Sequence, residues 1–542
     1  MKPLCCVTVT VLSLASLASL GQAAPVAAPG YEITELVAGS PFCGVHGLGI
    51  DSEDRLYAGS VVGQRIYSID TDTGAVTTEV EAPRGLADDM EFLPDGTLVW
   101  TSISHNAVRA RRPNGEIVDL ATGLASVNSI AYRESDNRLF VAQVFGGDGL
   151  WELDPAGEKP RRNILEDIGG LNGFDIGPDG MIYGPLWFKQ QVVRIDPDSG
   201  ELQLVADGFH TPAAANFDSE WNLYVLDTAT GEVFLIDIQT GEKKVFVRLK
   251  TSLDNLAIDS RDRIYVSNMA DNAIHRIDAE TGEVNEVVKG GLSCPMSLSA
   301  AGNSLYLADV FALRAIDATT GNITDINRAH AAGTHIGYPT AVAASATRLY
   351  AISAEGLHVY DRNEYRLLDS WRGMRGLQQV MELDNGDLLA LSGGGTRLTR
   401  LAKDNFNEQQ VVVAENMDNI GGMVSADGNT VYFTLPSANS VVRIDLASGE
   451  RQSITDQLDR PRGIDFAPEG ELIVMEGGGR IVKLLMDDTV KIETIADNIP
   501  VGRLNPRAGI LSPGLAVTED GTIHALSDSE NTLYRITQPG SH

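Results

Sequence analysis

The chain has 542 residues, which is long for a single hydrophobic core, and its 43% hydrophobic residues, 55 glycines and 22 prolines suit a turn-rich globular protein. A formal net charge of −32 argues against nucleic acids and anionic membranes as partners, because both bind basic patches. The simpler origin of this charge is an accumulation of acidic turns in a repeated sequence, although it also suits cation binding.

The first 23 residues have the pattern of a secretory signal peptide. Lys2 supplies a positive charge, residues 3–20 are uncharged and largely apolar, and residues 21–23 form a small-x-small cleavage site. We therefore expect the mature chain to begin at Ala24, in the periplasm or outside the cell. No later stretch is long and apolar enough to span a membrane, so no membrane insertion is expected after cleavage.

Two cysteines, Cys43 and Cys294, remain in that mature chain. A disulfide between them is chemically possible in an oxidising compartment. However, the two cysteines stand at the entrances of different sets of repeats, so two separate thiols are an equally good interpretation.

A short phrase recurs along the whole mature chain. Its clearest copy, residues 170–183, reads as a strand, a tight Pro-Asp-Gly turn and a second strand. The first buried residue of each copy recurs about every 40–50 residues, a spacing typical of four-stranded β-propeller blades. The twelve positions are Leu48, Met90, Ile130, Phe174, Ala215, Leu256, Met296, Val342, Val380, Met423, Ile464 and Leu515.

Twelve blades predict an all-β fold of two tandem six-bladed propellers. Residues 31–38 and 283–289 have the pattern of outer strands, so we expect the first to complete blade 6 and the second to complete blade 12. Each ring would then be closed by a strand from its own N-terminal end, which removes open sheet edges. The predicted segments are 1–23 (signal peptide), 24–281 (first propeller, with the active site) and 282–542 (second propeller, a scaffold, lid or partner surface).

A polar residue often precedes the apolar part of the inner strand, and we call this place the mouth position. Channel mouths are natural ligand sites, because several blades converge there. In the first ring the mouth residues are His46, Asp88, Asn128, Asn172, Ala213 and Asp254. In the second ring they are Cys294, Thr340, Gln378, Gly421, Arg462 and Pro513. The second set contains no carboxylate, so the structure of the repeat does not itself require acidic residues at this position. The polar cluster of the first ring therefore indicates a function.

Oxygen-rich side chains at one place suit a hard cation such as Ca²⁺. The predicted metal ligands are Asp88, Asn128, Asn172, Asp254 and the neighbouring Asn255. For any one of these residues a hydrogen bond to local backbone is an equally good interpretation, because Asn and Asp commonly make such bonds at strand entrances.

The Asn-Gly and Asp-Gly entrances, Pro-Asp-Gly turns and Leu-Tyr-Val strands resemble the SMP-30/gluconolactonase superfamily of six-bladed propellers, which includes paraoxonase-like lactonases. The resemblance covers both rings and implies a Ca²⁺-dependent hydrolase of a small-molecule lactone or ester. Asn128 and Asn172 match the asparagine ligands of that family. The chain departs from the family at His46, where a glutamate is expected, at Ala213, where an acid is expected, and at Asp254, which comes one blade late.

In such an enzyme the cation polarises the substrate carbonyl and a base activates water. His46 is the best-placed base, because imidazole titrates near neutral pH. Asp88 and Asp89 are the alternatives, and His210, in the entrance loop of blade 5, could join them.

Four loop residues are candidates for the walls of a substrate pocket: Phe145, Trp187, Phe188 and His105. Their loops are expected on the same face as the mouth positions. The aromatic side chains could equally pack against the second propeller, and a single loop histidine is more often solvated.

Two other functions remain open. A histidine in place of the family glutamate also suits a lyase or isomerase that uses a metal and a histidine, as in virginiamycin B lyase, a propeller of related appearance. A non-catalytic binding or scaffold protein of the NHL type is the third possibility, and the chemical difference between the two rings argues against it.

Overall fold

The computed structural model describes residues 23–539 except 375, 404–405, 407–409, 426, 487–488 and 503–513. Residues 1–22 of the predicted signal peptide and the mouth residue Pro513 therefore lie outside the described residues. Within the described part of the chain, no helix is long and apolar enough to cross a membrane.

The described residues form antiparallel β-sheets joined by short turns, with three brief 3₁₀ helices at Ile103–His105, Glu134–Asp136 and Pro436–Ala438. Apolar and polar residues alternate along many strands, and Gly, Asp and Pro fill the turns, which is the pattern that favours hairpins. Eleven of the twelve predicted repeat positions lie within the inner strand of a blade, and Phe174 lies immediately before one. The predicted all-β fold of two tandem propellers is confirmed.

The first ring contains blades 1 to 6. Its strands, four to a blade from inner to outer, are Val45–Ile50, Leu56–Ser60, Arg65–Ile69, Val76–Val80; Met90–Phe92, Leu98–Ser102, Ala107–Arg111, Ile117–Thr122; Val127–Arg133, Arg138–Gln143, Gly149–Leu153, Arg162–Glu166; Asp175–Ile176, Ile182–Leu186, Gln191–Ile195, Leu202–Ala206; Pro212–Phe217, Leu223–Asp227, Glu232–Ile236, Lys243–Arg248; and Leu253–Ile258, Ile264–Asn268, Ala273–Ile277, Val284–Val288.

The second ring contains blades 7 to 12. Its strands after the first ring are Pro295–Ala301, Ser304–Asp309, Ala312–Asp317, Ile323–Arg328; Ala341–Ala344, Arg348–Ser353, Gly356–Asp361, Leu367–Arg372; Leu377–Glu382, Leu388–Ser392, Arg397–Leu401, Gln410–Ala414; Met423–Ser425, Thr430–Leu435, Ser440–Asp445, Arg451–Thr455; Pro461–Phe466, Leu472–Glu476, Ile481–Met486, Val490–Asp497; and Leu515–Val517, Ile523–Ser527, Thr532–Thr537. Two N-terminal strands, β1 (Val26–Ala27) and β2 (Glu32–Val37), join blades 11 and 12.

The hydrophobic core lies between the faces of successive blades. Tyr57 and Ile66 of blade 1, for example, pack with Met90 and the fully buried Trp100 of blade 2. The inner strand of blade 6 packs against that of blade 1, and the inner strand of blade 12 packs against that of blade 7. Each set of six blades therefore closes on itself.

The predicted closure of the two rings is wrong. Strand β2 pairs with the last strand of blade 12, with Ile33 opposite Ile536, and not with blade 6. Val284–Val288 completes blade 6 itself, with Ile274 opposite Val288. The reason is local, because the Asp278 carboxylate accepts hydrogen bonds from the backbone of residues 280 and 281. The tight turn so formed returns the chain to the strand it has just left.

This pairing changes the two predicted domain boundaries. Strand β2 belongs to the second ring, although it comes first in the chain, and the first ring extends to Val288 rather than to residue 281. The first ring therefore borrows no strand from elsewhere. Its blades 6 and 1 are joined instead by side chains, since Ser260 donates to the Asp54 carboxylate through its backbone N–H (3.0 Å) and its Oγ (2.7 Å).

A disulfide joins Cys43 of the first ring to Cys294 of the second. Nearby, the buried Asn272 side chain donates to the carbonyl of Phe42 (2.7 Å) and accepts from the backbone N–H of Val45 (3.1 Å). Since the same Nδ2 also lies 3.2 Å from the carbonyl of Leu292, one amide ties both linkers between the rings.

Buried ion pairs continue this interface. Arg328, in blade 7, pairs with Asp271 of blade 6 and with Asp325, each at 2.7 Å. Arg314 pairs with Asp309 at 3.1 Å, with both side chains almost fully buried. Removing one partner of a buried pair leaves an uncompensated charge, so the Arg328–Asp271 pair helps to fix how the two rings meet, whereas the Arg314–Asp309 pair lies within blade 7.

The pairing of β2 with blade 12 predicts unequal effects for two neighbouring substitutions. Ile33 packs against the core between blades 11 and 12, whereas Thr34 is exposed on the same strand. We expect Ile33→Asp to lower the free energy of unfolding by roughly 1–3 kcal/mol, because it places a charge against apolar side chains. Thr34→Asp is the control and should change little. Equal urea or thermal midpoints for the two variants would contradict the pairing.

Candidate functional site

One cavity of about 600 Å³ lies over the mouth of the first ring. Five of the six mouth residues line it: His46, Asp88, Asn128, Asn172 and Asp254, contributed by blades 1, 2, 3, 4 and 6. The sixth, Ala213, is buried. The inner strands of blades 1, 3 and 6 shift register at their mouth positions. Such bulges re-aim side chains at strand ends, which helps to explain how separate blades present polar groups to one space.

The carboxylate of Asp254 has a strongly shifted pKa. Burial raises its pKa to about 7, and the nearby Asp89 carboxylate acts in the same direction. Among the described residues, none donates a hydrogen bond to the Asp254 carboxylate, and none of those lining the cavity is a lysine or arginine. A positive charge bound in the cavity would therefore stabilise the ionised form of the Asp254 carboxylate.

Asp89 and Asn255 have a different role from their neighbours Asp88 and Asp254. One oxygen of Asp89 accepts from the backbone of Met90 (2.9 Å) and from Asn255 Nδ2 (3.1 Å), and the other accepts from the backbone of Ile130 in blade 3 (3.1 Å). Asn255 Oδ1 accepts from the backbone of Leu256 (2.7 Å). Neither residue lines the cavity, so both tie blades together beneath it.

The two cavity asparagines share one hydroxyl. Ser129 Oγ lies 2.9 Å from Asn128 Oδ1 and 3.2 Å from Asn172 Oδ1. Asn172 Oδ1 also accepts from the backbone of Gly173 at 3.0 Å, as expected for an asparagine that caps local backbone. The side-chain oxygen of Asn172 thus accepts two hydrogen bonds and that of Asn128 accepts one. Asn128 is therefore the better amide ligand of the two.

His46 is buried at the edge of the cavity. Its Nδ1 donates to the carbonyl of Gly44 at 2.9 Å. Because a carbonyl can only accept, the lone pair of the neutral imidazole is on Nε2. The ring of Phe311 packs against the imidazole edge-on, with 5.1 Å between centroids. The geometry is that of an oriented imidazole able to accept a proton or bind a cation through Nε2.

Two candidate histidines lie outside the cavity. His210 is exposed, and its backbone N–H donates to Asp227 at 2.6 Å. His105 is also exposed, with Nδ1 3.0 Å from Ser102 Oγ. Neither lines the cavity, although residues on either side of His105 do.

The predicted aromatic walls are partly present. Phe145 and Trp187 line the cavity with 5.6 Å between ring centroids. Phe188 does not line it but packs on Phe145 at 6.0 Å, and Phe145 and Phe188 are both about half exposed.

The second ring completes the cavity, which the sequence alone did not indicate. Phe311, His330 and Tyr338, all from blade 7 and the linker that follows it, line the same space. His330 Nε2 lies 2.8 Å from the Tyr338 hydroxyl, and its ring packs on Trp187 at 5.3 Å. The one sequence signal was the long interval between the repeat positions Met296 and Val342, which leaves room for an additional linker over the first ring.

The mouth of the second ring is chemically different. Cys294 is used by the disulfide, and Arg462 faces Asp528 at 3.8 Å. Among the described residues, a small cavity of about 30 Å³ lies beside Arg462 and Asp528.

The donor set of the first ring can be tested against a hard cation. The described residues contain no group of three or more His, Cys, Asp or Glu side chains that could hold a metal ion. A cation bound by Asp88 and Asp254 would therefore need amide or other oxygens to complete its shell. Ca²⁺ accepts such mixed carboxylate and amide ligands, and Asn128 lies at the same cavity, so the residues fit a calcium-type site of low charge.

Comparisons with known proteins agree with this architecture. Residues 92–308 match the family model described as SMP-30/Gluconolactonase/LRE-like region. A comparison with curated proteins found no match.

Solved structures are also similar to this chain, and three of them follow. Streptogramin B lyase is 15% identical, with 51% of this chain and 94% of that chain covered and a TM-score of 0.38. A gluconolactonase from Xanthomonas campestris is 15% identical, with 44% and 87% covered and a TM-score of 0.38. The extracellular domain of a one component system from B. thetaiotaomicron is 11% identical, with 93% and 82% covered and a TM-score of 0.35.

The matched segment runs from blade 2 to the second strand of blade 7 and so includes three of the five mouth residues at the cavity, Asn128, Asn172 and Asp254. The chain is thus a double propeller whose residues 92–308 match the model of the SMP-30/gluconolactonase/LRE-like region, in agreement with the resemblance predicted from its repeats.

Proposed function

We propose that the protein is a cation-dependent hydrolase of a small-molecule lactone or ester, working in the cavity of the first ring. The observation that carries this proposal is the meeting of two carboxylates, two carboxamides and an oriented imidazole at one cavity of a gluconolactonase-like propeller. The Cys43–Cys294 disulfide supports an oxidising compartment. We therefore propose that the protein works in the periplasm or outside the cell.

The groups have separable roles in this proposal. Asp88, Asp254 and Asn128 would hold a divalent cation of the calcium type. When bound, that cation would polarise the substrate carbonyl and stabilise negative charge on its oxygen.

His46 is the proposed base. The Gly44 carbonyl holds the Nδ1 proton, so Nε2 is the nitrogen that can take a proton from an attacking water. Packing against Phe311 restricts rotation of the imidazole. The proton accepted at Nε2 can later be returned to the leaving alkoxide, which completes a hydrolysis without net change in the histidine.

Elimination is the second candidate, and the observation that favours it is His46 at the place of the family glutamate. The same imidazole could remove a proton from carbon instead of water. Product mass separates the two reactions, because hydrolysis adds one water to the substrate, whereas elimination within a ring leaves the mass unchanged and creates a double bond.

Cation content and activity should depend on Asp254. We expect about one Ca²⁺ per chain in the wild type. Asp254→Asn should lose this ion and lower kcat/KM for lactones by about 10²–10³-fold, the cost typical of removing one charge-stabilising group. Metal analysis and a lactone and ester screen provide the measurements.

Asp72→Asn is the matched control, because it makes the same change of charge in an exposed turn of blade 1. No divalent cation in either protein and no thermal shift on adding Ca²⁺ would overturn the cation-dependent proposal. Retained cation without hydrolysis or elimination would leave a binding protein.

The pH dependence of stability gives a second prediction. Burial raises the pKa of Asp254 to about 7, above the value of about 3.9 for an unfolded aspartate. The folded state then binds the proton more tightly, so this group should destabilise the cation-stripped protein progressively as pH rises from about 4 to about 7. Asp254→Asn should remove that part of the decline, measured as thermal midpoints in chelator.

Added Ca²⁺ should restore the wild type above pH 7, where the carboxylate is ionised, and have little effect on Asp254→Asn. Identical pH profiles for wild type and variant would mean that Asp254 does not titrate in this window.

A further inference from the structure

We propose that the second propeller supplies the substrate-selecting wall of the first propeller's site, and that this wall takes an uncharged apolar group of about the size of a phenyl ring. Phe311 and Tyr338 are the specificity-determining residues, and His330 positions Tyr338. This inference rests on the proposed function for the reaction it selects, but the wall itself can be tested by binding alone.

The first observation is a continuous series of aromatic rings around the cavity. Starting from the proposed base, His46 packs on Phe311 (5.1 Å), Phe311 on Tyr338 (5.5 Å) and Tyr338 on His330 (5.5 Å). His330 then packs on Trp187 (5.3 Å), which returns the series to the first ring. All five side chains line the cavity. Edge-to-face contacts of this kind hold rings in fixed orientations.

The second observation concerns the chemistry of this wall. The three residues from the second ring are two aromatic side chains and a histidine that burial keeps neutral, since its pKa is lowered to about 4. The charged and amide groups of the cavity all come from the first ring. The first propeller thus supplies the polar groups for the reacting bond, and the second propeller supplies an apolar surface.

The third observation is that the wall is fixed to the first ring on both sides of His330. Ser252 Oγ donates to the carbonyl of Ala329 at 2.6 Å, and the backbone N–H of Ala332 donates to the carbonyl of Ala229 at 2.9 Å. Arg328 adds a bond to the carbonyl of Thr251 at 2.8 Å. A wall held this way is preorganised and loses little entropy when a ligand binds.

The backbone of the linker is also unusual. His330 and Tyr338 both have positive φ values, 59° and 46°, a region that bulky side chains rarely adopt. Strain of this kind persists where the surrounding structure imposes it, and it clusters at ligand sites. Both side chains line the cavity.

The alternative is that these rings only pack the interface between propellers. Phe311 does contact the cluster around the disulfide, and an interface role alone predicts no preference among ligands. Selectivity between two matched ligands is therefore the decisive measurement, since a purely structural defect would weaken both equally.

The activity test compares γ-phenyl-γ-butyrolactone with γ-methyl-γ-butyrolactone on the full chain. The wild type should show a KM for the phenyl lactone about tenfold below that for the methyl lactone. Tyr338→Ala and Phe311→Leu should raise the phenyl KM about five- to tenfold, with a much smaller change in the methyl KM. Phe311→Leu should also lower kcat for both lactones, because Phe311 packs on the proposed base His46. Tyr338→Phe keeps the ring and should preserve most of the preference.

The binding test uses 2-phenyltetrahydrofuran and 2-methyltetrahydrofuran, which lack the reacting carbonyl, and measures affinity by ligand-observed NMR. The phenyl probe should bind more tightly to the wild type, and Tyr338→Ala should abolish that difference. Trp221→Ala, which removes an aromatic ring about half exposed outside the cavity, is the control and should not change it. Phe311→Leu serves as the second wall variant if Tyr338→Ala fails to fold.

The outcomes distinguish this inference from the proposed function. Phenyl-selective binding that depends on Tyr338, with no lactone turned over, would support the wall and overturn the hydrolase. Lactone hydrolysis that depends on Asp254, with the same phenyl-to-methyl ratio in wild type, Tyr338→Ala and Phe311→Leu, would overturn the wall. Equal binding of the two probes to the wild type would overturn it as well.

Discussion

The pairing of β2 with the last strand of blade 12 organises the whole molecule. Because this pairing joins the start of the described chain to its end, the second ring is opened before the first ring begins and closed only after blades 7 to 12 are complete. The two linkers between rings must therefore run side by side, and the backbone N–H of Gly44 in one donates to the carbonyl of Ser293 in the other at 3.1 Å. The disulfide and Asn272 reinforce the same crossing. This crossing holds blade 7 against blade 6, and from there the linker after blade 7 reaches the cavity.

Buried carboxylates serve as ties between neighbouring blades, which limits what acidic residues alone can reveal about function. Asp175 accepts from the backbone of Ile176 (2.7 Å) and from Phe217 in the next blade (3.0 Å). Asp465 does the same in the second ring, with Val517 of the next blade at 2.8 Å. Asp89 makes the equivalent link to blade 3. Since one carboxylate satisfies two backbone donors there, these acids stabilise the ring, while Asp88 and Asp254 face the cavity.

The repeat and the number of blades could be predicted from the sequence because strand alternation and turn residues are local signals. The same reasoning separated His46, Asn128 and Asn172 from the rest, since position within the repeat determines which face of the ring a residue reaches. Ring closure could not be predicted that way, because two outer-type strands with similar patterns compete for the same edges and only tertiary contacts decide. Asp88 and Asp89 are adjacent in sequence, yet only Asp88 lines the cavity, whereas Asp89 accepts hydrogen bonds from backbone groups beneath it. The sequence did not predict that Phe311, His330 and Tyr338 line the cavity, because they come from the other ring and two of them lie in a linker without regular secondary structure.

The arrangement of the two rings has a consequence for how such a molecule can change over generations. The first ring enters and leaves the second at one point, and its six blades use no strand from outside. In evolutionary terms it resembles a domain inserted into the connection between blades 12 and 7. An insertion whose two ends lie together adds little chain-closure cost to its host, and chains tolerate such insertions best at exposed connections. The first ring could thus be gained, exchanged or lost without breaking one strand pairing of the second ring, whereas the residues of the second ring that line the cavity would have to adapt to each replacement.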